Sequence, residues 1–365
     1  MSPLVPRPWQ NLYLHVPFCR RKCDYCAFYS EAESDTLMRP WLDKIKKELN
    51  ELSGHFLHTV YIGGGTPTLL PAEMLAELLE CLTRLNTGAL EISIECNPES
   101  LTAEKAAVLG RQVNRVSLGV QSFDPVLRKR IGRCGDPDRI FSVVELLRKN
   151  GIENLSCDLI YGLPDQDADA WERDLRRVLT LPVKHLSAYS LTVEDGTPLG
   201  RRYQPDDEWD IRTARMEKLS RRILKSHGLH QYEISNYARP GYECRHNQNI
   251  WHGETYLGLG PSACSFDGRD RFTQVSSIRQ WLDGVPPEFD RISEDSRQAE
   301  MLIMGLRTLR GWNSGEFERV TGISPEALRP LRIETLRRKK MMKSCRIALT
   351  RRGLDFWNDA ALELL

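Results

Sequence analysis

Three thiols stand near the start of the chain at Cys19, Cys23 and Cys26, in the run Cys19-Arg-Arg-Lys-Cys23-Asp-Tyr-Cys26. The spacing i, i+4, i+7 lets a short, tightly wound loop turn all three sulfurs toward one point. A closed structural zinc site takes four ligands, and ordinary iron–sulfur ligation uses four cysteines. A set that stops at three leaves one iron of a [4Fe–4S] cluster without a protein ligand. The alternatives are a zinc knuckle and a disulfide. His15 and Asp24 are poor candidates for a fourth zinc ligand, and the spacing is not that of a zinc or redox motif. A disulfide framework needs an oxidising compartment, and Met1–Gln10 lacks the apolar stretch of an export signal.

An open iron can be chelated by the amino and carboxylate groups of S-adenosylmethionine. Electron transfer from the cluster then breaks the sulfonium C–S bond and gives a 5′-deoxyadenosyl radical. In such a site the protein supplies position and electronics while the cofactor supplies the chemistry.

The elements that must position these groups follow from the hydrophobic pattern. Strands are expected at Asn11–Val16, His58–Ile62, Ala89–Cys96, Arg115–Val120, Asn154–Tyr161 and His185–Leu191. Helices are expected at Leu37–Glu51, Pro71–Leu85, Thr102–Leu109, Pro137–Lys149 and Ala168–Leu179. Alternation at this spacing means repeated βαβ units and a parallel sheet. Six repeats make an α/β fold, a partial or complete barrel whose working face lies at the C-terminal ends of the strands. The unusual residues fall at those ends. The three cysteines follow the first strand and Gly63-Gly-Gly-Thr-Pro-Thr68 follows the second. Glu95-Cys-Asn-Pro98, Gly119-Val-Gln-Ser-Phe123, Asp158-Leu-Ile-Tyr-Gly-Leu-Pro164 and Tyr189-Ser-Leu-Thr192 end the other four.

Consecutive glycines let a backbone approach a ligand closely, so Gly63–Gly65 could hold the polar methionine end of S-adenosylmethionine; the alternative is a plain tight turn. Glu95 and Asp158 could each accept from a ribose hydroxyl or an ammonium, or could cap the next helix. Gln121 and Arg133 could meet a carboxylate or hydroxyl, Arg133 with two parallel bonds, although an exposed salt bridge is a common fate for arginine.

Beyond the sixth strand the pattern changes. Asp206–Ser226 reads as a long charged helix and His230–Tyr237 as a strand-like run. Cys244-Arg-His-Asn-Gln-Asn-Ile-Trp251 and Tyr256–Phe266 are rich in glycine, asparagine and aromatics, which suits a buried loop over a large planar ligand or a glycine-rich connection. His246 and His252 could ligate iron, or be buried structural histidines. Leu282–Asp290 reads as a linker. Glu300–Leu309 and Pro325–Met342 read as helices and Ile347–Leu349 as a short strand. These features divide the chain into a barrel domain (1–235), a connecting segment (236–288) and a small helical C-terminal domain (289–365). The basic stretch Arg329–Arg352 could attract carboxylates or phosphates, or be a solvated helix face.

Composition narrows the function class. Hydrophobic residues make up 41% of the 365, enough for a sizeable core. No run of roughly 18 apolar residues occurs, so no transmembrane helix is expected. The ten cysteines are scattered apart from the first three, as in a reducing cytoplasm. A formal charge of +1 argues against wholesale nucleic-acid binding. A third reading, a radical enzyme acting on RNA through the basic C-terminal domain, lacks the basic, aromatic-interleaved stripe that such binding needs.

The segments Tyr13-Leu-His-Val-Pro-Phe-Cys19, Cys19-x3-Cys23-x2-Cys26, Gly63-Gly-Gly-Thr-Pro67, Gly119-Val-Gln-Ser-Phe123, Asp158-Leu-Ile-Tyr-Gly-Leu-Pro164 and Tyr237…Cys244-Arg-His-Asn247 together resemble the oxygen-independent coproporphyrinogen III oxidase-like branch of the radical S-adenosylmethionine superfamily. The likeness covers nearly the whole chain. It implies a partial (β/α)6 radical-SAM barrel followed by a small, mainly helical C-terminal domain. It implies that Cys19, Cys23 and Cys26 hold the cluster and that Tyr13, Gly64, Gly65, Thr66, Glu95, Gln121, Arg133 and Asp158 line the S-adenosylmethionine site. Tyr25 would sit beside the cluster, Thr192 is a further candidate, and His246 belongs to a His-Asn-x-x-x-Trp motif on the haem side. Two positions depart from the branch's usual pattern: Ile250 stands where tyrosine often precedes the tryptophan, and Gly135 stands where histidine often follows the arginine.

The branch forks. Its dehydrogenases decarboxylate coproporphyrinogen III, carry an extra cysteine two residues past the third and look longer at the N-terminus. Here that position is Phe28, and about a dozen residues precede the first strand. Both features resemble the haem chaperones of the branch instead. The implied ligands are therefore a [4Fe–4S] cluster, S-adenosylmethionine and haem (or porphyrinogen for the dehydrogenase). The implied partners are an electron donor for the cluster and a haem-acceptor protein.

Overall fold

The computed structural model describes residues 9–32, 35–52, 56–85 and 89–365. The expectation about Met1–Pro8 lies outside the described residues. Six parallel strands run in chain order: β1 (Asn11–Val16), β2 (Thr59–Gly64), β3 (Glu91–Cys96), β4 (Arg115–Gln121), β5 (Asn154–Tyr161) and β6 (His185–Ser190). Helices α1 (Asp35–Glu51), α2 (Ala72–Leu85), α3 (Ala103–Gln112), α4 (Pro125–Arg130), α5 (Arg139–Lys149) and α6 (Ala168–Val178) connect them. α7 (Trp209–Ser226) follows β6.

The sheet does not close on itself. Beyond β6 it continues through the antiparallel hairpin of β7 (His230–Gln231) and β8 (Asn236–Ala238), with β8 against β6. Beyond β1 it continues through β9 (Tyr256–Leu259), parallel to β1. The antiparallel β10 (Cys264–Phe266), β11 (Arg271–Thr273) and β12 (Glu288–Asp290) complete that flank. The expected linker at Leu282–Asp290 is therefore corrected. Its first residue ends helix α9 (Ile278–Leu282), and its last three form the edge strand β12.

Parallel strands covered on both faces usually read as continuous apolar runs. Here they alternate. One face carries Leu12, Leu14, Val60, Ile62, Ile94, Val116, Leu118, Leu155, Leu159 and Leu186, all buried in one core with the surrounding helices. The other face carries Tyr13, His15, Thr59, Tyr61, Glu91, Ser93, Glu95, Arg115, Ser117, Ser156, Asp158, His185 and Ser187, so the lumen is polar. Burial of unpaired polar groups costs about 1–3 kcal/mol each, and these groups bond one another. Ser156 Oγ lies 2.7 Å from His185 Nδ1, and His185 Nε2 lies 2.8 Å from Tyr232 Oη.

Helix α8 (Arg245–Trp251) is fixed to this lumen. Its N-cap, Cys244, makes no capping bond of its own. Instead the Glu91 carboxylate accepts from the backbone N–H of Arg245 (2.8 Å) and of His246 (3.2 Å) and from the Cys244 thiol (3.5 Å). A carboxylate at a helix N-terminus satisfies donors that have no intrahelical partner and opposes the helix dipole.

A second apolar core gathers the C-terminal helices α10 (Glu294–Gly305), α11 (Ser314–Thr321), α12 (Pro325–Leu328), α13 (Pro330–Arg338), α14 (Arg351–Asp355) and α15 (Trp357–Leu364) around Leu302, Trp312, Phe317 and Leu336. Phe266 of β10 belongs to the same core, which ties this unit to the sheet. Sequence periodicity placed one helix over Pro325–Met342. The chain breaks at Arg329 (φ −136°, ψ 56°), because the residue before Pro330 is driven out of the helical region. Ile347 and Leu349 make isolated bridges, to Trp312 and Met342, and not a strand. No described helix is long and apolar enough to cross a membrane.

Replacing Glu91 with alanine strands the buried N–H of His246 and the partly buried N–H of Arg245 at the start of α8. Chemical denaturation should show a loss of about 2 kcal/mol or more, from the cost of unsatisfied buried donors. An unchanged unfolding midpoint would show that α8 is held by packing alone.

Candidate active site at the barrel mouth

The cysteine loop leaves β1 and is clamped at its base. Phe18–Cys19 pairs in parallel with Glu31–Ala32, and Cys26 N–H donates to Cys23 O at 3.2 Å. Asp24 ties the loop outward: its N–H donates to Ile131 O (2.9 Å), its O accepts from Leu199 N–H (2.8 Å) and its carboxylate takes Arg202 (2.6 Å). Tyr25 packs on the apolar cluster of Leu127, Ile131, Ile160, Leu163, Leu191 and Leu199. Burial, then the Cys23 charge, raises its phenol above the ordinary range.

Among the described residues, no three His, Cys, Asp or Glu side chains form a set that could hold a single metal ion. A cubane asks for something else, since each thiolate binds a different iron. The three thiols are near enough for Cys23 and Cys19 to add to the burial that pushes the Cys26 thiol up. A bound cation offsets that cost, because the thiolate is the ligand form. Cys19 Sγ lies 3.5 Å from Thr66 Oγ1, and Arg133 Nη1 points at Cys23 Sγ from 3.8 Å. Sulfur ligands beside a guanidinium and a hydroxyl suit an anionic iron–sulfur cluster.

Arg133 is fixed by Gly119 O (2.5 Å) and Asn97 Oδ1 (3.2 Å), while its Nε is buried without a partner. Gln121 sits at a register shift between β4 and β5, with φ at +62°. Such strain in a non-glycine residue persists only where the surroundings impose it. Asp174 supplies that constraint, accepting from Ser122 Oγ and Phe123 N–H at 2.7 Å each. The Gln121 side-chain oxygen, Oε1, is buried and unpaired. These orphaned atoms beside the thiols await a polar ligand, as the S-adenosylmethionine expectation requires.

The glycine triplet begins inside a strand. Gly63 and Gly64 belong to β2, opposite His15 and Val16 of β1. A Cβ on Gly64, at φ +105°, would lie 2.6 Å from the His15 ring, and one on Gly65 would lie 2.6 Å from Phe18 O. The protein's own close packing therefore demands these glycines, in addition to any ligand. His15 is locked between Tyr29 O (3.0 Å, from Nε2) and Tyr13 Oη (3.1 Å, at Nδ1). Since a carbonyl only accepts, Nε2–H donates to Tyr29 and Nδ1 accepts from Tyr13.

Glu95 and Asp158 are buried in the lumen. Glu95 accepts from Tyr61 Oη (3.0 Å) and Gly64 N–H (3.3 Å), and burial, then the Asp158 charge, pushes its carboxyl up to about 7. Asp158 accepts from Ser117 Oγ at 3.0 and 3.1 Å, and burial raises its carboxyl too. It lies within β5, one layer deeper than the strand end expected for it. Thr192 follows β6 and is exposed.

The structure does not bring His246 to the cysteine side. It is buried on α8, stacked on Tyr61 with ring centroids 5.2 Å apart, and its Nδ1 meets Thr59 Oγ1 at 2.7 Å. Thr59 gives its own proton to Asn11 Oδ1, so His246 Nδ1–H is the donor. Burial, then Arg115, lowers its basicity to about 3. His252 is also committed, with Nδ1 2.8 Å from Gln248 O and Nε2 3.2 Å from Gly311 O. At Gly135 a Cβ would lie 2.0 Å from Glu99 Oε1, so a histidine there would displace Glu99. Tyr61, Arg128 and Asp174 were not singled out from sequence, His15 was weighed only as a poor zinc ligand, and Asn97 was quoted in a strand-end motif without a role. The signal that could have found Tyr61 and His15 is the alternation of polar residues along the strands.

Comparison with known proteins agrees with this geometry. Residues 13–178 match the family pattern described as the Radical SAM superfamily. A protein of Bacillus subtilis named "Heme chaperone HemW" is 32% identical over 96% of this chain and 97% of its own length. Its namesakes in Lactococcus lactis (33% identical, 96% and 95% covered) and Escherichia coli (35%, 90% and 90%) are similarly matched. Among solved structures, the coproporphyrinogen III oxidase HemN of Escherichia coli, described as a radical SAM enzyme, superposes with a TM-score of 0.85 over 99% of this chain and 91% of that one. At 21% identity, that likeness speaks to the fold. The chain belongs to the HemW family within the Radical SAM superfamily. Membership of the superfamily implies a [4Fe–4S] cluster and S-adenosylmethionine.

Replacing Cys23 with alanine should abolish the cluster, because two thiolates do not hold it. Retention of the full [4Fe–4S] absorption after anaerobic reconstitution would overturn the three-cysteine site. Glu95 gives a pH signature. Its folded carboxyl titrates near 7 against an ordinary 4.5, so its protonated form is favoured on folding. The resulting stability is present below about 4.5 and is lost as pH rises through about 7. Glu95→Gln keeps an acceptor for Tyr61 and carries no charge. Its stability relative to the unmodified protein should therefore rise across that window, as followed by denaturant midpoints, and stay level above it. A pH-independent difference would count against a buried titrating carboxyl.

Proposed function

We propose that this chain is a haem chaperone. It binds haem, keeps a [4Fe–4S] cluster with exchangeable S-adenosylmethionine, and passes haem to an acceptor protein in the cytoplasm. The carrying observation is likeness to proteins named "Heme chaperone HemW" over nearly the full length of both chains, C-terminal unit included. Phe28 supports this reading. It is 69% exposed on the cysteine loop, at the position where the resemblance implies an extra cysteine for a dehydrogenase.

In this proposal Cys19, Cys23 and Cys26 hold the cluster and Arg133 offsets the charge of the Cys23 thiolate. A cluster with S-adenosylmethionine supplies one-electron chemistry at the sulfonium. Glu95, oriented by Tyr61, and Asp158, oriented by Ser117, accept from the ammonium or ribose hydroxyls. Tyr13, Gly64, Gly65, Thr66 and Gln121 complete the pocket, and Tyr25 shields the cluster from water. Thr192 stands at its outer edge. A haem-side role for His246 rests on the resemblance.

The test is anaerobic. The reconstituted protein receives S-adenosylmethionine, a reductant and either coproporphyrinogen III or haem. The chaperone reading expects a bound-haem spectrum and no decarboxylated product by chromatography. Protoporphyrinogen formation would make the protein a dehydrogenase.

A further inference from the structure

Arg307 follows α10 and is held between two indoles. Its guanidinium carbon lies 4.7 Å from the ring centre of Trp251, at the end of α8, and 5.0 Å from that of Trp357, on α15. Cation–π contacts with two indoles hold the guanidinium in place without using its N–H groups as hydrogen-bond donors. Among the described residues its carboxylate neighbour is Glu233, whose Oε2 pairs with Nη2 at 4.0 Å, too far for a hydrogen bond, and is itself buried without a hydrogen-bond donor. Glu233 is itself fully buried and held by Ser235 N–H at 3.0 Å. Among the described residues, Arg307 Nε and Trp251 Nε1 are buried N–H donors with no acceptor. Orphaned donors of this kind call for an explanation. Here two such donors sit on side chains in direct cation–π contact, and a cation beside unpaired N–H groups suits an anionic oxygen.

The position connects Arg307 with the barrel mouth. Tyr189, at the C-terminal end of β6, is 40% exposed. Burial, then the charges of Asp158, Glu233 and Glu95, raises its phenol, and Tyr189 is close enough to act on Arg307. The strand pair Glu233–Thr308 brings the Arg307 segment against the β7–β8 hairpin. A flat ligand lying over Tyr189 could reach this arginine with a side arm.

We propose that Arg307, flanked by Trp251 and Trp357, binds a carboxylate of the ligand, namely a propionate of haem, with Arg307 Nε–H and Trp251 Nε1–H as donors. This assignment rests on the haem-chaperone reading above. The Nε–Nη edge of arginine takes a carboxylate with two parallel bonds, which lysine cannot reproduce.

The experiment titrates reconstituted full-length protein with haem and with haem dimethyl ester, whose propionates carry no charge. The unmodified protein should prefer haem by about tenfold or more, the range set by charge-assisted hydrogen bonds. Arg307→Gln should bind both forms alike, at the level of the ester, and Arg307→Lys should show an intermediate preference. Cluster absorption and a cooperative melt report folding. If Arg307→Gln fails to fold, Trp251→Phe keeps a ring face for the cation and removes only the N–H; it should weaken haem several-fold and leave the ester unchanged. A folded variant that keeps the full preference for haem overturns the proposal and leaves the chaperone reading intact, as does an unmodified protein that binds haem and ester equally. An unmodified protein that binds neither form overturns both.

Discussion

The fold depends on pairing the polar groups that a parallel sheet turns into its lumen. Each strand of the barrel places apolar side chains toward the helices and polar ones inward. The inward groups have no bulk water to rely on, so each must find a partner across the lumen. Thr59 meets Asn11 and His246, Ser117 meets Asp158, Tyr61 meets Glu95, and His185 joins Ser156 to Tyr232. A slip of one residue in any strand would turn these groups toward the helices and leave every partner stranded.

That requirement explains why the segment after the barrel is built as it is. The open side of the sheet would expose the lower lumen, and α8 is anchored there by the Glu91 carboxylate and by the stacking of His246 on Tyr61. The residues around the cysteines obey a related constraint. Arg128 spends its guanidinium on Val120 O (2.7 Å) and Cys134 O (3.0 Å), and thereby fixes the turn that carries Arg133 to the thiols. Asp174, on a helix outside the barrel, imposes the strained backbone of Gln121 through its neighbours. The mouth is thus shaped by buried hydrogen bonds, with side-chain atoms of Gln121 and Arg133 left unpaired within it.

Much of this was legible in the chain itself. The cysteine spacing, the strand–helix alternation and the placing of unusual residues at strand ends led to a partial radical-SAM barrel. The structure and the comparisons bear that out. Boundaries moved where local chemistry outweighed periodicity: Pro330 split one helix, Ser293 caps α10 seven residues before the expected start, and the linker became an edge strand because β11 offered it a partner. The glycine triplet was read as room for a ligand, yet it equally makes room for His15 and the Phe18 backbone.

The sequence by itself determined the six barrel strands and their parallel direction. Those follow from side-chain type and from the alternation of strands with helices. It also determined the cluster loop, since three thiols within eight residues need no distant partner to be found. Tertiary structure alone decided which polar groups pair across the lumen. It decided that His246 is sealed beneath Tyr61, and that Arg307 is gripped between tryptophans 56 and 50 positions away in the chain. Such contacts join residues whose separation follows no period, and they exist only once the helices of the C-terminal unit have packed against the sheet.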